Sequence, residues 1–135
     1  MKMFIYCCDC KSKVKARLTS GEEIYPHRTD LSSLPFWKCD TCKNHVGCHH
    51  KTKNRTRPLG NIPNKEMRNA RQHLHKIIDP LWMGKRKSRD KRSRIYQHLS
   101  EFIGREYHTA EIKKIETARK IYNETTAIDA KRNSI

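Results

Sequence analysis

The chain has 135 residues and a mass of 16.0 kDa, and its 30 Lys and Arg against 14 Asp and Glu give a net charge of +16. Hydrophobic residues make up 35%, which predicts a small core, and no apolar run approaches the roughly 18 residues of a membrane span. We expect no membrane association and no signal peptide, hence a cytoplasmic protein with reduced cysteines. The positive charge favours nucleic acid as the partner over an anionic membrane or an acidic protein.

The N-terminal half has the short alternating segments of a small sheet. Residues 3–6 predict a strand, and residues 11–18 predict a second one, with Val14, Ala16 and Leu18 on one face. Gly21 indicates a turn. A further strand is expected to enter the second cysteine pair through Phe36 and Trp37, and residues 44–47 return the chain. Val46 is the clearest core candidate of this return.

Two C-x-x-C pairs, separated by 28 residues, are the most specific motif of the chain. Each pair forms a tight turn that directs two thiolates towards one point. Two such turns supply the tetrahedral four-sulfur shell of a closed structural zinc site. The long separation suits a zinc ribbon, in which each pair sits on its own β-hairpin. We predict one structural Zn²⁺ held by Cys7, Cys10, Cys39 and Cys42.

Two further soft ligands follow the second pair. Cys48 and His49 lie six and seven residues after Cys42, so either can replace one of its two cysteines. The alternative is that Cys48 is a small buried side chain beside the site. Cys8 is not expected to share the metal, because its side chain points away from those of its neighbours.

The C-terminal half has a helical period. A helix is predicted over 65–78, with an apolar stripe, and Pro80 ends it. A second helix is predicted to carry Ile95, Leu99, Phe102 and Ile103 on one side and to end at Gly104. A third is predicted from Thr109, and its expected apolar face is Ile112, Ile115, Ala118 and Tyr122. The pattern fades after residue 125, and 129–135 is expected to fray.

These elements predict an α+β fold, in which a small N-terminal zinc ribbon of short β-hairpins packs against a C-terminal part of about three helices. We place a zinc-ribbon module at 1–60 and a basic helical module at 61–135, and we expect the two to form one compact unit.

Two basic segments are candidate nucleic-acid contacts. The segment 51–57 has four bases and no acid, and a rigid metal module directly before it can present these charges to phosphates. The segment 84–94 has seven bases and one acid, and its alternative is a disordered linker. Tyr25, Phe36 and Trp37 can stack on bases, although Tyr25 and Phe36 also fit the core, which is favoured for Phe36. The candidate cations are Lys51, Lys53, Arg55 and Arg57 in the first segment and Lys85, Arg86 and Lys87 in the second.

The sequence offers two candidate acid–base pairs and no complete catalytic motif. His75 and Asp79 lie one helical turn apart and can meet, whereas the spacing of His108 and Glu111 is less specific. No Walker loop, dinucleotide turn, H-E-x-x-H or Ser-His-Asp order is present. We therefore predict a protein that is not an enzyme.

Six blocks of the sequence resemble the zinc-finger-containing domain family of bacteriophages, prophages and their hosts, and the resemblance extends from Cys7 to about Tyr122. In that family the first pair resembles C-P-x-C-G, whereas Cys8 and Lys11 occupy the Pro and Gly positions here. The V-G-x-H-x-G-T element appears as residues 46–52, without the second glycine. The blocks are residues 25–28, 34–42, 46–49, 57–60, 68–75 and 79–82.

The resemblance implies a zinc ribbon followed by helices, and it marks His49, Arg68 and Arg71 as polar positions suited to a phosphate or an acidic partner. The sequence thus predicts a non-catalytic, zinc-stabilised nucleic-acid-binding protein of phage or prophage type in the cytoplasm of a bacterial host. The alternatives are a phage-encoded inhibitor or adaptor that binds a host protein, such as a nucleic-acid enzyme, and a small metal-dependent nuclease.

Overall fold

The computed structural model describes residues 1–133 and has the predicted α+β fold, with a four-stranded antiparallel sheet followed by helices. The chain divides into two compact units, Met1–Glu66 and Met67–Ile135. The sequence placed this boundary after residue 60. Ile62 belongs to the first unit, because its N–H donates to the Tyr6 carbonyl oxygen at 2.9 Å and its side chain is fully buried in the core of the sheet.

The strands follow one another in space as they do along the chain. The loose alternation of 11–18 forms a longer strand than predicted, and the strands around the second cysteine pair are short. Their bounds are β1 Lys2–Cys7, β2 Ser12–Ser20, β3 Pro35–Lys38 and β4 His45–Gly47.

One face of this sheet forms the core of the first unit. Ile5 pairs with Val14, and Trp37 pairs with Leu18 and Val46, so these side chains share that face. Trp37 is fully buried. The expectation that Trp37 stacks on bases is therefore wrong, because the period of two in β3 turns its ring into the core.

A short helix and a 3₁₀ turn connect β2 to β3. Helix α1 spans Gly21–Ile24, and the 3₁₀ turn spans Thr29–Leu31. Gly21, which the sequence indicated as a turn, begins α1. A Cβ atom here would lie 1.8 Å from the Leu31 carbonyl oxygen, so this close approach of two backbone segments needs glycine.

The second unit contains three long helices, and none of the helices in the described part of the chain is both long and apolar enough to cross a membrane. The predicted helix over 65–78 forms, and Met67, Leu74 and Ile78 of its stripe are buried. Gly104 ends the second long helix in a left-handed conformation, as predicted. The helices are α2 Lys65–Ile78, α3 Ser88–Ile103 and α4 Ile115–Asn133.

The basic segment 84–94 is not a linker throughout. Helix α3 begins at Ser88, so more than half of the segment is helical. Arg92 lies over the rings of Trp82 and Tyr96, with its guanidinium carbon 5.5 Å and 4.2 Å from the ring centroids. These cation–π contacts give this part of the segment a fixed place in the fold.

The ends and faces of the last two helices differ from the prediction. Thr109–Glu111 is a 3₁₀ turn and Ile112 is extended, so α4 begins only at Ile115. Phe102 was predicted on the apolar side of α3, but it is 45% exposed. Tyr122 was predicted on the apolar face of α4, but it is 43% exposed.

The buried face of α4 is Ala118, Ile121 and Thr125, at positions i, i+3 and i+7. The Thr125 hydroxyl donates to the Ile121 carbonyl oxygen at 2.7 Å, which allows a polar residue to be buried here. The helix continues to Asn133, so the expected fraying from 129 is wrong as far as that residue; 134 and 135 lie outside the described residues.

Candidate metal centre and basic loop

Both cysteine pairs form the same turn. The Lys11 N–H donates to the Cys7 carbonyl oxygen, and the Lys43 N–H donates to the Cys39 carbonyl oxygen, each at 2.8 Å. The two lysines are left-handed, with φ of 56° and 68°. The first turn joins β1 to β2 and the second joins β3 to β4, so the sheet fixes both. This is the predicted zinc ribbon with one cysteine pair on each hairpin.

The four sulfur atoms converge on one point. The Sγ atoms of Cys7 and Cys42 are 3.4 Å apart, those of Cys10 and Cys39 are 3.8 Å apart, and all four lie within 4.8 Å of one another. Four Zn–S bonds of about 2.3 Å in a tetrahedron separate the sulfurs by about 3.8 Å. The residues therefore fit one zinc ion. Within residues 1–133, no other group of three or more His, Cys, Asp or Glu side chains is arranged to hold a metal.

Burial and hydrogen bonding act in opposite directions on these thiols. Burial raises the pKa of Cys7, so its proton is not lost readily unless a cation compensates the charge. Burial alone would also raise the pKa of Cys39, but the backbone N–H groups of Cys42 and Thr41 point at its sulfur and its pKa is lowered. The Asn44 side-chain amide donates to the Cys42 sulfur at 3.1 Å. These N–H groups are the supporting contacts that zinc-bound thiolates require.

The other candidate ligands stand outside the cluster. Cys48 is buried in the core, where its thiol donates to the Thr56 carbonyl oxygen at 3.5 Å and burial raises its pKa. Cys8 is buried too, and neither it nor His49 belongs to the group of converging ligands. The four-cysteine set is therefore complete without replacement by Cys48 or His49.

The basic loop, residues 51–57, is closed at its base by the sheet that carries the second cysteine pair. The His49 N–H donates to the Arg57 carbonyl oxygen at 2.9 Å, and Cys48 and Pro58 form a β-bridge. From the core, the indole N–H of Trp37 donates to the Thr56 carbonyl oxygen at 2.6 Å. A fully buried tryptophan thus holds the end of the loop in place.

The cations of the basic loop are exposed and make no ion pair with any carboxylate in the described part of the chain. No Asp or Glu occurs between residues 41 and 65. Elsewhere on the same unit, by contrast, Arg17 and Lys38 both bind Glu23, at 2.9 Å and 2.7 Å. The charges of the basic loop are therefore available to an external anion. They belong to Lys51, Lys53, Arg55 and Arg57.

The predicted binding residues of the second unit differ in exposure. Arg71 is only 9% exposed, and its Nη2 donates to the Ile112 carbonyl oxygen at 3.0 Å. Its prediction as a binding residue is corrected, because the guanidinium already joins α2 to the segment before α4. Arg68 is half-buried on α2, whereas Lys85, Arg86 and Lys87 are exposed in the turn before α3.

Of the two candidate acid–base pairs, the one formed by His75 and Asp79 is present. The Nδ1 atom of His75 lies 3.4 Å from Oδ2 of Asp79. His108 Nε2 lies 3.1 Å from the carboxylate of Glu106, and the Glu111 N–H donates to the His108 carbonyl oxygen at 2.9 Å. Neither pair has the third ligand that would make a metal site within the described residues.

Sequence reasoning missed an aromatic side chain on the outer face of the sheet. Phe4 is 67% exposed, although the segment 3–6 was correctly predicted as a strand. The signal was present, because Ile5 and Cys7 alternate with Phe4 and only one of the two sets can enter the core.

The four-cysteine centre on two hairpins, followed by helices, defines a zinc-ribbon protein. Residues 3–126 match the family model of a zinc-finger-containing domain, and the chain belongs to this family. No curated protein and no solved structure matches the chain.

Proposed function

We propose that the protein binds nucleic acid without catalysing a reaction, and that it is a phage or prophage protein acting in the reducing cytoplasm of a bacterial host. The observation that carries the proposal is the basic loop. It presents four cations without an ion-pairing carboxylate, and it is fixed to the sheet of the metal centre through Trp37.

The charge and the placement of this loop suit contacts with phosphate groups. Lysine and arginine side chains that bind phosphates displace condensed counterions, which gives affinity without sequence preference. The backbone bond of His49 to Arg57 closes the loop and so keeps its four cations near one another. Less conformational entropy is then lost on binding than for a free basic tail.

The absence of catalysis is inferred from the kinds of groups available. A site of four thiolates leaves no open coordination position for a water molecule or a substrate. The His75–Asp79 pair supplies only two groups, which are few for a catalytic metal.

The proposal is tested by comparing two variants that lose the same charge. One replaces Lys51, Lys53, Arg55 and Arg57 with Ala. The other replaces four exposed cations of the second unit with Ala, namely Lys76, Lys114, Arg119 and Lys120. Affinity for mixed-sequence DNA and RNA is measured against salt concentration. We expect the loop variant to bind more weakly and its log–log salt slope to flatten by about 0.7–0.9 for each lost phosphate contact, and the control to change little.

Three results would contradict the proposal. Equal effects of the two variants would mean that only the net charge matters. Salt-tolerant capture of one host protein, unaffected by nuclease treatment, would favour the inhibitor or adaptor alternative. Cleavage of the probe with Mg²⁺ or Mn²⁺ that is lost on His75→Ala, in protein that keeps its zinc, would favour the nuclease alternative.

A further inference from the structure

The outer face of the sheet combines exposed aromatic and basic side chains along β1 and β2. Because Ile5 and Cys7 face the core, Phe4 and the residues two positions from it face away from the core. The strand register places basic residues of β2 directly opposite these residues. The cross-strand pairs of this face are Phe4 with Lys15, Tyr6 with Lys13 and Lys2 with Arg17.

The cations around Phe4 are not neutralised by the protein itself. Lys2, Lys13 and Lys15 are exposed, and none of them makes an ion pair with a carboxylate of residues 1–133. Directly opposed side chains on such a pair of strands have Cβ atoms about 5 Å apart. Phe4, at 67% exposure, thus presents a ring with a cation across the strand from it.

On the other half of this outer face, towards β3 and β4, the exposed side chains contact one another. Arg17 binds Asp40 as well as Glu23, each at 2.9 Å. The rings of Tyr25, Phe36 and His45 pack edge to face, with centroids 5.4–5.7 Å apart, and the Tyr25 hydroxyl lies 3.0 Å from His45 Nε2. The available part of the face is therefore the surface formed by β1 and the first half of β2.

We propose that single-stranded nucleic acid binds across this part of the face, with a base stacked on Phe4 and with its phosphates near Lys2, Lys13 and Lys15. This inference rests on the proposed function, and it specifies the form of the ligand. An unpaired base has a free π-face for an aromatic ring, whereas the bases of a duplex are stacked on one another. RNA-recognition modules with four-stranded sheets use outward aromatic residues in the same way.

The charge pattern distinguishes this ligand from an apolar protein surface. An apolar partner would bury the Phe4 ring but would have to desolvate the neighbouring lysines without compensation. A single strand can cover the Phe4 ring with a base and pair the neighbouring lysines with phosphates, because bases and phosphates alternate along it. Tyr6 lies two residues further along β1, about 6.7 Å from Phe4, and offers a second, partly exposed ring on the same face.

The test compares Phe4→Ala with Phe102→Ala, which removes a phenylalanine that is also exposed but lies on α3. The probes are an oligothymidylate, an oligouridylate and a DNA duplex of the same length. We expect Phe4→Ala to weaken binding of the single strands by about 5-fold or more, the usual effect of losing one stacking ring, and to leave duplex binding within about twofold. Phe4→Tyr should retain the affinity, and Phe102→Ala should match the unmodified protein.

The outcomes separate this inference from the proposed function. If the single strands bind, and the loop variant weakens them while Phe4→Ala does not, the stacking site is wrong and the proposed function stands. If no probe binds to the unmodified protein, both are wrong. Phe4→Leu keeps an apolar side chain but lacks a π-face, so it should resemble Phe4→Ala. Full affinity in Phe4→Leu would mean that only apolar bulk is needed and would overturn the inference.

Discussion

At the scale of single residues, the fold determines which charged side chains can reach a partner. Arg71 and Arg68 lie one turn apart on α2, and both were predicted to bind phosphate. Arg71 is buried and bonded to the Ile112 carbonyl oxygen, while Arg68 is partly exposed. The sequence could not distinguish them, because the difference comes from a contact between residues 41 positions apart.

Replacing Arg71 should therefore affect stability and leave binding unchanged. We expect Arg71→Leu to lower the free energy of unfolding by about 1.5–3 kcal/mol, the usual contribution of a hydrogen bond from a charged group, as measured by urea denaturation. Arg68→Leu should change it by less than about 0.5 kcal/mol. If folded Arg71→Leu protein showed a flatter salt dependence of nucleic-acid binding, Arg71 would have to contact phosphate after all.

The sequence also did not distinguish buried aromatic residues from exposed ones. Trp37 was expected at the surface as well as Tyr25, and Phe4 was not considered, yet Trp37 is fully buried and Phe4 is largely exposed. Strand alternation fixes which residues share a face, but it does not say which face is covered. That choice follows from Ile62, which returns to β1 after a long loop and belongs to the buried core.

At the scale of elements, the two cysteine turns are the best-predicted feature, because their geometry is local. The two C-x-x-C pairs specify two similar turns, and the turns form with the same hydrogen bond. Helix α2 was predicted to the residue, since its apolar stripe and Pro80 are both local signals. The start of α4 was wrong, because the extended Ile112 interrupts a pattern that the sequence alone continues.

Glycine should stabilise each cysteine turn. Lys11 and Lys43 are held at φ of 56° and 68°, a region that costs a residue with a Cβ atom about 1–2 kcal/mol. Lys11→Gly, and separately Lys43→Gly, should raise the free energy of unfolding of the zinc-loaded protein by about 0.5–1 kcal/mol, after the greater flexibility of glycine in the unfolded chain is subtracted. Chemical denaturation measures this.

Lys13→Gly serves as the control, because it removes the same charge from a regular position in β2. It should lower the free energy of unfolding by about 0.5–1 kcal/mol. If all three variants were destabilised alike, the left-handed turns would not be the strained positions that these φ angles indicate.

At the scale of the whole molecule, the positive charge is spread over both units. The first unit has 13 Lys and Arg against 6 Asp and Glu, and the second has 17 against 8. Composition therefore predicted an anionic partner but did not indicate which surface would bind it. The location that we propose depends on which cations have no carboxylate beside them, and that requires the paired positions of the sheet and the closure of the basic loop.

The stability of the first unit should depend on its metal. Its core is small and includes Cys7, Cys39 and Cys48. We expect about one equivalent of zinc per chain, and we expect chelation or Cys39→Ser to unfold Met1–Glu66, because the free energy of metal binding is also free energy of folding. Acid should have the same effect, since protons compete with the metal for the thiolates.

Trp37 reports this unfolding, because it is fully buried in the same core. In a Trp82→Phe background, chelation should shift the fluorescence of Trp37 to longer wavelength as the indole reaches water. Cys48→Ser changes a buried cysteine outside the sulfur cluster, so it should keep the full zinc content even though it lowers stability. A protein that keeps Trp37 buried after its metal has been removed would refute the structural role of the site, because the sheet would then be stable on its apolar contacts alone.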